Sequence, residues 1–170
     1  KRQILDELKN VRFKERKASY IVSAREQFTK DGRLSIRSVL GGFDIPFAAR
    51  EWLVENVKGL GYKEAGHFLR NIGLGEDLAI LDRHILKNLV LLGVIDEIPA
   101  SLTKKRYLEI EQRMIAFSNE IKIPMGHLDM VLWDGDGRDL QMKSASFAFP
   151  LFFSISIPAD LRDRFDIRPP

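Results

Sequence analysis

Val57-Lys58-Gly59-Leu60-Gly61-Tyr62-Lys63-Glu64-Ala65 reads as a glycine hairpin opening onto a helix, with a lysine just inside that helix. Gly59 and Gly61 alternate with larger residues, and glycine lets a backbone turn sharply and come close to a ligand. The first N–H groups of a helix have no intrahelical acceptor. With the helix dipole they form an anion site facing the turn, and phosphate is the obvious anion. Asp82 follows 19 positions after Lys63 (82 − 63), in Leu81-Asp82-Arg83-His84, at the start of the next predicted helix. Taken singly these features are weak. A Gly-x-Gly is more often a tight turn, a helical lysine a solvated charge, and an Asp before a helix an N-cap. Their combination says more, because one helix and a return loop can bring Lys63 and Asp82 together.

Outward from the hairpin, helical spacing dominates. Upstream, Asp44 is a plausible N-cap, with Ile45-Pro46 in the first turn of a helix running to about Val57 and burying Phe47, Trp52, Leu53 and Val54. Residues 2–9 and 13–28 are two further helices, the second stopped by Asp31-Gly32. Residues 35–40 add one or two turns. Downstream, Tyr62 to Ile72 is a helix ended by Gly73, with Tyr62, Ala65, Phe68, Leu69 and Ile72 on its buried face. Lys63, His67 and Arg70 share another face, looking outward. After a connector over 74–81 come helices at 84–92 and 102–122, the latter begun near Ser101 or Thr103, and a short one at 126–133. No alternating strand is found before residue 145 and there is no internal repeat, so the fold class is all-α. Asp134-x-Asp136-Gly137 lacks the Gly and Glu of a calcium loop and reads as a turn. Residues 147–157 are apolar but interrupted by Pro150. The expected division is a helical domain over 1–133, containing the hairpin 57–63, and a divergent tail over 134–170.

Composition limits the chemistry. The chain of 170 residues fits one domain, and its apolar fraction of 45% supplies a core. Charged residues make up 30%, so most helix faces are expected to be solvated. A net charge of +3 permits a nucleic-acid partner without indicating one. The absence of cysteine excludes disulfides, thiolate catalysis and cysteine-ligated zinc or iron–sulfur clusters. No apolar run reaches the roughly 18 residues of a membrane span.

The hairpin and Asp82 together resemble the helix-hairpin-helix DNA glycosylase superfamily. Within it, Gly61-Tyr62-Lys63-Glu64-Ala65, His67-Phe68-Leu69-Arg70-Asn71, Ile80 to Leu86, Ile95 to Pro99 and Tyr107 to Glu111 look like the archaeal-type second class of 8-oxoguanine DNA glycosylase/AP lyases. So do Arg12-Phe13 and Lys17 to Arg25. The resemblance covers roughly residues 10–133. It implies a base-excision repair enzyme in which Lys63 attacks C1′ of the damaged nucleoside and forms a Schiff base, while Asp82 stabilises the positive charge developing on the sugar. A lysine attacks only as the free amine, which desolvation or nearby positive charge favours. Gly59 and Gly61 would donate N–H groups to DNA phosphates, and His84 would contact phosphate. His67 would border the base pocket. No cofactor would be required, although the carbonyls of Glu55, Val57 and Leu60 would hold a monovalent cation at the hairpin. The partner would be double-stranded DNA carrying 8-oxoguanine or an abasic site, with no membrane involved, and the protein a monomer located in the cytoplasm, or with the nucleoid in a prokaryote.

The match has limits. The chain begins inside the family's pattern, which implies an architecture without the family's N-terminal helices. Residues 134–170 do not match the short basic terminus through which the family recognises the oxidised base. Two other readings therefore stand beside the first. One is a non-catalytic helix-hairpin-helix DNA-binding module, which needs only Gly59, Gly61 and basic residues. The other is an altered family member that acts on abasic sites alone.

Overall fold

The computed structural model describes residues 1–134. Eight helices are present among them: α1 (Arg2–Glu7), α2 (Lys14–Phe28), α3 (Ile36–Leu40), α4 (Pro46–Asn56), α5 (Tyr62–Asn71), α6 (Arg83–Leu91), α7 (Lys104–Ile121) and α8 (Met125–Asp134). Local signals explain most of the boundaries. Pro46 occupies the first turn of α4, where its missing N–H costs nothing. Asp82 and Thr103 cap α6 and α7, accepting from Ile85 N–H and Arg106 N–H. Gly73 and Gly93 follow α5 and α6 with φ of 79° and 71°, a region that favours glycine.

Two expectations are corrected. A two-residue antiparallel hairpin joins β1 (Thr29–Lys30) to β2 (Arg33–Leu34) between α2 and α3. Strands this short show no alternation. Their sequence signal is Asp31-Gly32 itself, with φ of 50° and 74°, the turn that matches strand twist. The N-cap of α4 is Ile45, not Asp44, and no side chain caps this helix.

The core forms two clusters. One gathers Phe28, Leu40, Ala49, Leu53, Val57, Ala65, Leu69 and Leu78 from α2 to α5. The other gathers Ala79, Leu81, Ile85, Leu86, Leu89, Ile95, Tyr107, Ile110, Met114, Met125, Leu128 and Leu132 around α6, α7 and α8. The 74–82 connector crosses from one to the other, with Leu78 in the first cluster and Ala79 and Leu81 in the second. Burying a leucine-sized side chain is worth about 1.5–3 kcal/mol, so both clusters hold the connector strongly. Among the described residues, no helix is long and apolar enough to cross a membrane. Residues 135–170, with the apolar stretch 147–157 and most of the Asp134–Gly137 turn, lie outside the described residues.

Candidate active site

The hairpin is braced from behind. Gly59 has φ +90°, and a Cβ there would stand 2.3 Å from the Tyr20 ring of α2, so only glycine fits. Leu60 N–H closes the turn on Val57 C=O at 3.2 Å. Gly61 then caps α5 without a side chain, unlike Asp82 and Thr103 on the helices that follow. The first N–H groups of α5 therefore lack a side-chain acceptor at the end of the helix where the dipole favours an anion.

Lys63 is the second residue of α5. Its side chain is 44% exposed and stands 3.6 Å from the Glu64 carboxylate. Its neighbour Tyr62 is tied down. The Tyr62 hydroxyl donates to Glu51 Oε2 at 2.5 Å, and burial and then the Glu51 bond push its pKa up to about 12. Lys104 completes this group by donating to Glu51 Oε1. The Tyr62 ring lies 5.3 Å from the Tyr107 ring and 5.2 Å from the Arg50 guanidinium. His67 and His84, on α5 and α6, are both exposed. Arg70 departs from its expected outward place. It is half-buried, donating to Asp129 Oδ2, to Leu78 C=O and, at 3.4 Å, to Gly75 C=O. Ile72, expected in the core, is 45% exposed.

Asp82 caps α6, with Oδ1 accepting Ile85 N–H at 2.8 Å. The backbone leading to it is neither helix nor strand, yet each of its last four amides is satisfied. Ala79 N–H donates to Glu111 Oε1 at 2.9 Å, Ile80 N–H to Asp129 Oδ2 at 3.2 Å, Leu81 N–H to the Tyr107 hydroxyl at 3.3 Å and Asp82 N–H to Ile80 C=O at 2.8 Å. Tyr107 in turn donates to Ala79 C=O at 2.8 Å. Tyr107 thus touches the residue before Lys63 with its ring and the residue before Asp82 with its hydroxyl. α5 also approaches the connector closely at Gly66, where a Cβ would lie 3.3 Å from Ala79 C=O.

Two buried arginine–carboxylate pairs lie beneath. Arg50 donates from Nη1 and Nη2 to the two oxygens of Glu111 at 2.5 and 2.6 Å, with side chains 1% and 0% exposed. Burial works against the Arg50 charge, but the Glu111 bond and charge outweigh it and leave the pKa raised. The second pair is Arg70 with Asp129, which is 6% exposed. Asp129 Oδ1 is buried and accepts no hydrogen bond among the described residues. Burial pushes this carboxyl up to about 6 against the lowering effect of Arg70, and the like charge of Asp82 adds to the rise.

Of these four charges only Arg70 was read from the sequence, as an outward-facing neighbour of Lys63. The signal lay in spacing. Arg50 falls between Phe47 and Leu53 at i ± 3, and Glu111 follows Tyr107 by four and precedes Met114 by three. Two opposite charges, each inside an apolar stripe, call for one another. A cavity of about 500 Å3 between α4, α7 and α8, bounded by Phe47, Asp77, Ile115 and Met125 among others, includes neither Lys63 nor Asp82. Among the described residues no group of three or more His, Cys, Asp or Glu side chains is placed to hold a metal ion.

A family model described as 8-oxoguanine DNA glycosylase, Ogg-HhH, matches residues 1–123. A protein of Fusobacterium nucleatum named 8-oxoguanine DNA glycosylase/AP lyase is 50% identical over 131 residues, which are 77% of this chain and 60% of the relative. The protein of that name from Methanocaldococcus jannaschii is 43% identical over 133 residues, 77% of this chain and 61% of the relative. A crystal structure of the M. jannaschii glycosylase/lyase with a 15mer DNA containing 8-oxoguanine matches with a TM-score of 0.69 at 41% identity, covering 78% of this chain and 61% of that one. The chain thus spans about 60% of the length of these curated relatives.

Proposed function

The chain belongs to the 8-oxoguanine DNA glycosylase family, and on that premise we propose that it excises 8-oxoguanine from double-stranded DNA and cleaves the abasic site through a Schiff base on Lys63. The observation that carries this reading is the double contact of Tyr107. One side chain adjoins Tyr62 and bonds Leu81, so the segments ending in Lys63 and Asp82 share a common support.

The hairpin binds the DNA backbone through the N–H groups of Gly59 and Gly61 and of the first turn of α5, with His84 as a further phosphate contact. These contacts position the duplex without reading sequence. A base inside the stack is out of reach, so the damaged nucleotide is flipped out, with His67 at the edge of its pocket. The Lys63 amine forms a bond to C1′ as the C1′–N9 bond breaks, and the base leaves with the electron pair and a proton. Asp82 stabilises the positive charge on the sugar. The sugar ring opens to the Schiff base, a proton leaves C2′, the C3′–O bond breaks and the 3′ phosphate departs. Hydrolysis of the imine returns Lys63. A monovalent cation held by the carbonyls of Glu55, Val57 and Leu60 would neutralise a nearby phosphate. A carbonyl has two lone pairs, so the Leu60 N–H bond at Val57 leaves one for it. The protein acts as a monomer.

Cyanoborohydride trapping tests the reading with duplexes carrying 8-oxoguanine or an abasic site. A covalent adduct is expected from the wild-type chain and none from Lys63→Ala. Salt-sensitive binding with no adduct on either duplex overturns it in favour of a DNA-binding module. An adduct on the abasic duplex alone restricts the activity to the lyase step.

A further inference from the structure

We propose that Asp129 is a positioning residue for the reaction: its carboxylate holds the backbone from which Asp82 projects. The inference rests on the reading of Lys63 and Asp82 as the reacting pair and adds to it a carboxylate 47 positions further along the chain (129 − 82).

The geometry is a short relay. Asp129 Oδ2 accepts from Ile80 N–H at 3.2 Å and from Arg70 Nη1. Ile80 C=O accepts from Asp82 N–H at 2.8 Å, and Asp82 Oδ1 accepts from Ile85 N–H at 2.8 Å. Arg70 lies on the same helix as Lys63 and also donates to Leu78 C=O. The pair therefore fastens α5, the connector and α8 at one point, two residues from Asp82. A purely structural clip would be expected to satisfy both oxygens, as Glu111 does. Asp129 instead uses Oδ2 twice and leaves Oδ1 buried without a donor among the described residues. A buried carboxylate oxygen without a donor disfavours the charged form, and Oδ1 is the free seat for a proton.

The charged or titratable groups that reach Asp129 are Arg70 from α5, Asp82 at the start of α6 and Tyr107 from α7. Two of them oppose one another. Arg70 favours the Asp129 anion, and Asp82 disfavours it.

Asp129→Asn keeps the hold, because an amide oxygen can still accept from Ile80 and Arg70. The measurement is the single-turnover rate of cyanoborohydride trapping on abasic duplex from pH 5 to 9, with DNA affinity measured in parallel. For Asp129→Asn, the conservative variant, we expect a plateau rate within about threefold of wild type. For Asp129→Leu, which also releases Ile80, we expect a plateau at least tenfold lower with unchanged DNA affinity. If Asp129→Leu does not fold, Arg70→Met with Asp129→Leu replaces it, since removing both charges leaves neither uncompensated. An Asp129→Leu plateau within about threefold of wild type overturns the proposal, as does a loss of rate matched by loss of affinity. A wild-type chain that forms no adduct at any pH defeats the underlying reading instead.

Discussion

Glu111 and Asp129 accept hydrogen bonds from adjacent amides of one connector, Ala79 and Ile80, and each is paired with an arginine from another helix. Glu111 uses both oxygens, is held bidentately and has Arg50 set against the rings of Phe47, Tyr62 and Tyr107 at 5.2–5.5 Å. Asp129 uses one oxygen and lies one residue closer to Asp82. In the first arrangement Glu111 holds the Arg50 pKa above its ordinary value through two short hydrogen bonds, so the pair acts as a fixed strut. The second sits near its own titration. The difference suggests that the same chemical pair, placed one residue apart, can serve rigidity in one position and responsiveness in the other.

The largest effect that would break this contrast is on stability. Glu111→Ala leaves the Arg50 guanidinium buried and uncompensated and Ala79 N–H without its acceptor, for an expected loss of about 3–5 kcal/mol in urea unfolding. A loss below about 1 kcal/mol would show that the strut carries no such load.

The contrast sharpens with pH. The folded Asp129 carboxyl lies near 6, above its ordinary 3.8, so the folded state holds the extra proton between those values. Its contribution is fully present at pH below 4 and is lost as pH rises through 6, to a ceiling of about 3 kcal/mol. Melting of wild type and Asp129→Asn across pH 4 to 7 should therefore show the balance moving in the variant's favour as pH rises, whereas a constant difference would remove Asp129 from the titrating groups. Smallest of all is Lys104→Ala. This lysine is 58% exposed in its pair with Glu51, and the expected cost is about 0–1 kcal/mol by thermal melt, with Tyr62 still donating to Glu51.

Much of this arrangement was legible in the sequence, and the part that was not has a common cause. Helix positions followed from apolar spacing and from Gly73, Gly93 and Pro46, since backbone chemistry alone enforces those ends. The hairpin stood out because Gly59 and Gly61 have few other reasons to alternate before a helix. Arg50, Glu111 and Asp129 were passed over, and Arg70 was placed facing outward, because a charge on a helix is ordinarily solvated, and burial of a charge depends on a partner far along the chain. Arg50 and Glu111 are 61 residues apart and Arg70 and Asp129 are 59 apart. Spacing within one helix cannot report such a pairing. The β1–β2 hairpin was missed for the opposite reason: it is so local that only the Asp31-Gly32 turn marks it.

The connector over 79–82 has a consequence for exchange with solvent. Being neither helix nor strand it is a loop, the kind of stretch where insertions are tolerated. Three of its four amides are bound instead by Glu111 and Tyr107 of α7 and by Asp129 of α8, and the fourth by the turn at Ile80. The first three protons can leave only when α7 and α8 let go. In deuterated solvent this loop should keep those three hydrogens about as long as the helices around it, so that a clock set by the core would run beside Asp82.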